Sequence, residues 1–210
     1  MSDFIAQRTE AWVQSRLGKV TGSRVADLMA RTKTGFGASR ANYMAELICE
    51  RLTGEQAERY VSAEMQRGTD LEPQARAAYS FLHDRSVEEC GFMVHPAIAD
   101  FGASPDGLIG ADGLVELKCP NTATHIDYLL SGTVPGKYET QMQAQMACTG
   151  RTWCDFVSYD PRLPDAMQLF IRRVPRDDTF IAVMEKDIRA FLDEMAEKIS
   201  RLRSEYREAA

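Results

Sequence analysis

Two short apolar runs, Phe101–Ile109 and Leu114–Cys119, flank the turn signal Gly110-Ala111-Asp112-Gly113, and Pro120 stops the second run. Glycine and aspartate favour tight reversals, and a proline cannot continue a strand ladder, so this stretch is constrained to a β-hairpin. The hairpin carries Pro105-Asp106 and, after nine intervening residues, Glu116-Leu117-Lys118. Side chains alternate along a strand, so Glu116 and Lys118 share one face while Val115 and Leu117 turn to the core side. Asp106, on the preceding strand, reaches the same polar face if the pairing register allows it. Two carboxylates can hold a hard divalent cation, and an ammonium beside them can help a water attack a phosphate. A lysine between acids is expected to keep its charge. Glu-x-Lys alone describes many solvated pairs, and Pro-Asp-Gly is a common turn; their order within one hairpin is what points to nuclease chemistry.

Composition narrows the remaining classes. The chain has 210 residues, and a single domain spanning 1–210 with a substantial core is expected. Its 44% hydrophobic and 27% charged fractions are those of a soluble globular protein. No apolar run approaches membrane-spanning length, so no membrane association is expected. Met1-Ser2-Asp3-Phe4 lacks the basic start and apolar core of a secretory signal, and a cytoplasmic location is the simplest expectation. Five cysteines without Cys-x-x-Cys spacing argue against a disulfide framework and a zinc ribbon. The three histidines form no His-Glu-x-x-His motif, and no phosphate-binding glycine loop suggests ATP use. A net charge of −6 runs against a uniformly basic DNA-binding surface. Metal-binding carboxylates are themselves acidic, however, and a basic patch can coexist with an acidic exterior.

Periodicity and capping signals place the other elements. Helices are expected over Val20–Ala30, with Thr21 or Ser23 as cap, and from Ser39 to about Leu52, stopping at Gly54. The second would bury Tyr43, Leu47, Ile48 and Leu52. Between them, Arg31 to Gly37 reads as a basic loop. Ser62–His83 reads as a long helix, broken near Gly68 or Pro73, and Val87–Val94 as a strand. Helices over Thr122–Leu130 and Lys137–Cys148, the latter ending at Gly150, precede strands at Trp153–Tyr159 and Met167–Val174. A final amphipathic helix, about Thr179–Tyr206, is capped by Asp177 or Asp178. Its apolar positions are Phe180, Val183, Ile188, Phe191, Met195, Ile199 and Leu202, best read as packing. The fold class is therefore α/β (α+β), a central mixed β-sheet of about four or five strands flanked by α-helices.

Five blocks, the two segments of the hairpin counting as one, carry a resemblance and fall in the family's order. Ser104-Pro105-Asp106-Gly107-Leu108 and Glu116-Leu117-Lys118-Cys119-Pro120 resemble the bacteriophage lambda exonuclease (YqaJ-type) branch of the restriction-endonuclease-like nucleases. So do Trp12 with Arg16-Leu17-Gly18-Lys19-Val20-Thr21-Gly22-Ser23, and Arg67-Gly68-Thr69-Asp70-Leu71-Glu72. Lys137-Tyr138-Glu139-Thr140-Gln141-Met142-Gln143 is similar to that family's glutamine helix, and Ser158-Tyr159-Asp160-Pro161-Arg162 is also similar. The segment Ser131–Lys137 departs from the pattern.

The resemblance implies a restriction-endonuclease-like core and a Mg²⁺-dependent 5′→3′ exonuclease on double-stranded DNA with free ends, two ions being used and Mn²⁺ able to substitute. The product would be a 3′ single-stranded tail, passed to a single-strand annealing protein in recombination. A ring-shaped homotrimer is implied as well. Asp106 and Glu116 would ligate metal, with the backbone carbonyl of Leu117 and with Glu72 at a second position; hard Mg²⁺ suits such oxygens. Lys118 would orient or deprotonate the attacking water, and Gln141 would position the water or Lys118. Without the resemblance, Glu72 reads as a solvated helical acid. Arg16, Ser23 and Ser104 match the family's 5′-phosphate pocket, a role that guanidinium and hydroxyl donors suit. Arg31 and Lys33 are candidate DNA contacts. Two alternatives stay open: an endonuclease of the same fold, and a non-catalytic DNA-end binding protein.

Overall fold

The computed structural model describes residues 5–33, 35–57 and 62–206. Met1–Phe4, and Thr34 of the basic loop, lie outside these residues. The chain forms α1 (Glu10–Arg16), β1 (Val20–Thr21), a 3₁₀ turn (Gly22–Arg24), α2 (Val25–Met29), β2 (Arg31–Thr32), β3 (Gly35–Phe36) and α3 (Ala38–Thr53). It continues through α4 (Ala63–His83), β4 (Met93–His95), β5 (Ile98–Ala103), β6 (Gly107–Ile109) and β7 (Gly113–Lys118). Then come α5 (Thr122–Ser131), α6 (Gly136–Thr149), β8 (Trp153–Tyr159), a second 3₁₀ turn (Asp165–Met167), β9 (Leu169–Pro175) and α7 (Asp178–Glu205).

The apolar stretch 101–109 is not one strand. β5 pairs with β1 in parallel and with β4 in antiparallel fashion, in a three-stranded sheet. After Ser104-Pro105-Asp106 the chain enters β6, which opens a four-stranded mixed sheet of order β6-β7-β8-β9. The expected central sheet of four or five strands is thus divided in two, because the Ser-Pro-Asp break lets the run serve both sheets. β7 runs antiparallel to β6, with Gly107 opposite Val115, and parallel to β8, with Glu116 opposite Phe156. The hairpin therefore forms as expected over its second half. Gly113 cannot carry a side chain here: a Cβ would meet the Trp153 ring at 2.1 Å.

Three apolar clusters hold these layers. Ala75 and Tyr79 of α4 cover Val115, Leu117, Val157 and Ile109 on one face of the four-stranded sheet. Met142 and Met146 of α6 cover Leu114, Phe156, Cys154 and Phe170 on the other. The third cluster joins α2, α3 and α7 to Phe101, Ile98 and the far face of α6 through Ala144, Ala147 and Cys148. β7 is consequently buried on both faces, which alternation in the hairpin did not anticipate.

Other departures have local causes. Residues 20–30 split into strand, 3₁₀ turn and short helix; neither Thr21 nor Ser23 makes a side-chain capping bond, and the Thr21 amide donates to the buried Tyr43 hydroxyl at 3.0 Å. Gly37, not Ser39, occupies the cap of α3, and the Ser39 hydroxyl turns back to the Asp27 carbonyl. α3 does end at Gly54, in the left-handed conformation (φ 74°) that glycine adopts without penalty. Leu52, Val183 and Leu202 are exposed rather than in the core. α4 runs unbroken through Gly68 and Pro73, capped by Ser62; packing of Ala75 and Tyr79 offsets the lost backbone bond. Val87–Val94 is reduced to one bridge, Glu88 with Leu108, and the three residues of β4. No helix among the described residues is long and apolar enough to cross a membrane, and all five cysteines are free thiols.

Candidate active site

The site grows from the seam between the two sheets. Register places Asp106, one residue before Gly107, across from Glu116. The Asp106 carboxylate accepts the Leu117 amide at 2.7 Å, fixing it against the middle of β7. Arg76 of α4 donates to the Asp106 carbonyl at 3.1 Å from behind. Burial, and then the charge of Glu116, push the Asp106 carboxyl up to about 8, against the opposing pull of Lys118 and the Leu117 amide. Two acids crowded in this way leave a deficit of positive charge that a cation would fill.

Glu116 is fully buried and has both oxygens engaged. Gln141 and the Lys118 ammonium reach Oε1 at 2.6 and 2.5 Å, and Gln145 donates to Oε2 at 2.5 Å. α6 supplies both glutamines because positions four apart share a helix face. Lys118 also lies 5.2 Å from the centre of the Tyr138 ring, an additional hold on its charge. Burial acts to lower the Lys118 pKa, but Glu116 and Asp106 outweigh it and leave the ammonium above its ordinary value.

Sequence reasoning missed Gln145. A glutamine on an amphipathic helix reads as solvated, and only its i+4 spacing from Gln141 signals a shared target. Gln143, quoted in the motif, faces away: it donates to the Pro175 carbonyl and accepts the Asp177 amide.

Two spaces open beside Glu116 and Lys118. A cavity of about 140 Å³ is lined by Arg8, Trp12, Arg16, Ser23, Ser104, Gln141 and Gln145, among others. Arg16 of α1, Ser23 of the first 3₁₀ turn and Ser104 of the loop after β5 are thus brought together beside the glutamines that hold Glu116. Trp12 organises this wall: its indole donates to the Ser104 hydroxyl at 3.0 Å, and the Arg16 guanidinium stacks 3.9 Å from its ring centre. On the other side, a broad groove of about 630 Å³ is lined by Glu72, Lys118, Arg67, Lys137, Tyr138 and Arg162, among others. Here the acidic chain shows a basic wall.

Glu72 borders the groove and is ion-paired with Arg8. Among the described residues, no three Asp, Glu, His or Cys side chains gather tightly enough to hold a metal alone. The donors present do fit a hard cation: Asp106, Glu116 and the Leu117 carbonyl are all oxygens, and Mg²⁺ keeps several waters. Arg31 and Lys33 line none of the cavities around Lys118. Arg31 pairs with Asp187 of α7 at 2.9 Å, and Lys33 is exposed in the turn after it.

Asp160 anchors the groove's far wall. It is fully buried and accepts from Thr122 at 2.7 Å and from Arg162 at 2.8 Å through two nitrogens. Burial alone would raise its carboxyl, but the Arg162 and Thr122 hydrogen bonds outweigh it and hold the group well below the usual carboxylate range. A depressed folded pKa contributes stability above the unfolded value of about 3.9, and that stability is lost as pH falls. Asp160→Asn should cost roughly 2–3 kcal/mol at neutral pH. In urea titrations the gap from wild type should narrow below about pH 4; a pH-independent gap would remove this account.

A mixed α/β fold that sets an aspartate, a glutamate and a lysine together beside a basic groove defines a nuclease. The chain belongs to the YqaJ-like viral recombinase domain family, whose model matches residues 11–152. It is similar to an alkaline exonuclease, LHK-Exo, from Laribacter hongkongensis, also solved in complex with dAMP: 57% identity over 94% of this chain and 97% of that one, TM-score 0.88. A phage-related exonuclease from Haemophilus somnus 129PT shares the fold, at 16% identity over 88% of this chain and 96% of that one, TM-score 0.73. No curated protein matches the chain.

Proposed function

We propose that this nuclease is a Mg²⁺-dependent exonuclease that degrades one strand of linear double-stranded DNA from 5′-phosphorylated ends. The observation that carries the direction is the cavity holding Arg16, Ser23 and Ser104 next to Gln141 and Gln145. A guanidinium and two hydroxyls suit a terminal phosphate, and two residues of the same pocket, Gln141 and Gln145, donate to Glu116, which supports a phosphate held there presenting its strand toward that acid. A relative bound to dAMP supports a site of mononucleotide size.

The residues divide the work. Asp106, Glu116 and the Leu117 carbonyl would hold one ion, with Glu72 completing a second position; Mn²⁺ should substitute. Bound ions supply charge stabilisation for the attacking and leaving oxygens. Gln141 and Gln145 keep Glu116 in one orientation. Lys118 carries its proton, so its first service is to place positive charge against the phosphate. It can accept a proton from the attacking water only once the charge of the neighbouring acids is offset. Arg67, Lys137 and Arg162 line the groove as backbone contacts, with Arg31 and Lys33 meeting duplex farther out. The 3′ tail so produced is the substrate of a single-strand annealing protein. A homotrimeric ring would keep the enzyme on its substrate, and light scattering tests it. A cytoplasmic site of action accords with free, mostly buried thiols.

The deciding experiment is digestion of an end-labelled linear duplex with Mg²⁺, against a covalently closed circle. Nucleotide release from the 5′-phosphorylated strand alone, with the circle intact, is expected; cleavage of the circle would establish an endonuclease instead. Arg16→Ala should reduce the preference for 5′-phosphate over 5′-hydroxyl ends by about tenfold or more. An unchanged ratio would remove Arg16 from the phosphate pocket.

A further inference from the structure

Arg8 has φ of 69°, in the left-handed region that non-glycine residues seldom occupy. Such a conformation persists where its surroundings hold it. On one side, the Gln7 amide donates to the Cys90 carbonyl at 2.9 Å and to the Pro105 carbonyl at 2.7 Å, clamping the chain beside Asp106. On the other, Thr9 caps α1 by accepting the Trp12 amide at 3.2 Å. Between these anchors the Arg8 side chain is turned onto Glu72 in an ion pair. Arg8 also lines two cavities at once. One, of about 120 Å³, contains Glu72, Arg76 and Asp106. The other is the pocket of Arg16, Ser23 and Ser104. Arg8 thus lies on the border between the pocket read as holding the 5′ phosphate and the one that contains Asp106.

We propose that Arg8 is a substrate-binding residue that Glu72 holds in the free protein and that moves to a backbone phosphate when a DNA strand enters, leaving Glu72 to a cation. The proposal rests on the exonuclease reading. A guanidinium grips carboxylate and phosphate with the same fork of donors, so the exchange replaces one charged partner by another. Glu72 cannot serve Arg8 and a cation fully at the same time. Cation binding at Glu72 is therefore linked to DNA binding, and by reciprocity each favours the other.

Arg8→Gln tests this through two readouts that move in opposite directions. The KM for a 5′-phosphorylated linear duplex should rise by about tenfold. Mn²⁺, titrated by calorimetry into the protein without DNA, should bind several-fold tighter, because Glu72 has lost its competitor. Arg8→Lys retains the charge but not the fork, and should restore only part of both values. A folding defect would instead weaken DNA and Mn²⁺ binding together, and that result overturns the proposal, as does an Arg8→Gln variant unchanged in both readouts while the wild type is active. Failure of the exonuclease reading shows separately, as wild-type protein that releases no nucleotide at any Mg²⁺ concentration, and it takes the proposal with it.

Discussion

Lys118→Ala is expected to lose nucleotide release by roughly 10²–10⁴ while duplex binding stays near the wild-type value. The asymmetry follows from the surroundings of the ammonium. Lys118 is one of several basic side chains in the groove, with Arg67, Lys137 and Arg162, so removing it takes away a small share of the attraction for backbone phosphate. Of these four, however, it is the one that pairs with Glu116, at 2.5 Å, beside the acids that would hold the ion. The fold should tolerate the change, because Gln141 and Gln145 still donate to both oxygens of the buried Glu116. Rates on an end-labelled duplex, paired with fluorescence anisotropy for binding, separate the two effects. Full activity in Lys118→Ala would sink the proposed chemistry, and loss of binding in parallel would make the residue a DNA anchor instead.

Phe156→Ala should destabilise the protein by about 3–5 kcal/mol, the usual cost of emptying a large aromatic site in a core. Phe156 is fully buried at the centre of the four-stranded sheet. It stacks on Tyr138 with ring centres 5.4 Å apart and meets Tyr128 edge-on at 5.7 Å. It is also the β8 partner of Glu116, and Tyr138 in turn lies against Lys118. The cavity would therefore open directly beside the strand that carries Glu116 and Lys118. Denaturant titration measures the cost, and activity well below the transition temperature should fall as well, since Lys118 and Glu116 would lose their backing. A loss under about 1 kcal/mol would show that the sheet repacks around the gap.

How far the sequence reveals this molecule depends on the range of the interactions involved. β8 was legible to the residue, and α5, α6 and α7 to within a residue or two, because each is written in local periodicity with glycine, proline or aspartate at its ends. Asp106, Glu116 and Lys118 were legible as a cluster because a hairpin joins them. The division of residues 101–109 between two sheets was hidden, since it depends on β1, about 80 positions earlier, pairing with β5. The helix expected over residues 20–30 is confined to Val25–Met29 for the same reason: a parallel partner for Val20 overrides the local helical pattern at its start. Gathering Arg16, Ser23 and Ser104 into one pocket needed the resemblance, because α1, the 3₁₀ turn and the end of β5 meet only in three dimensions. Gln145 and Arg8 carried no local signal strong enough to separate them from solvated neighbours.

The three residues Ser104-Pro105-Asp106 join two sheets that have separate apolar clusters, and α6 contributes to both. The end pocket draws Arg16 and Ser23 from the first half, and Glu116 and Lys118 belong to the second. The proposed end pocket is therefore complete only when both halves are docked. A chain in which the two sheets have come apart would thus lose the wall proposed to hold a phosphorylated end. On the proposed reading, the choice of DNA end is set by the docking of the two sheets and by neither sheet alone.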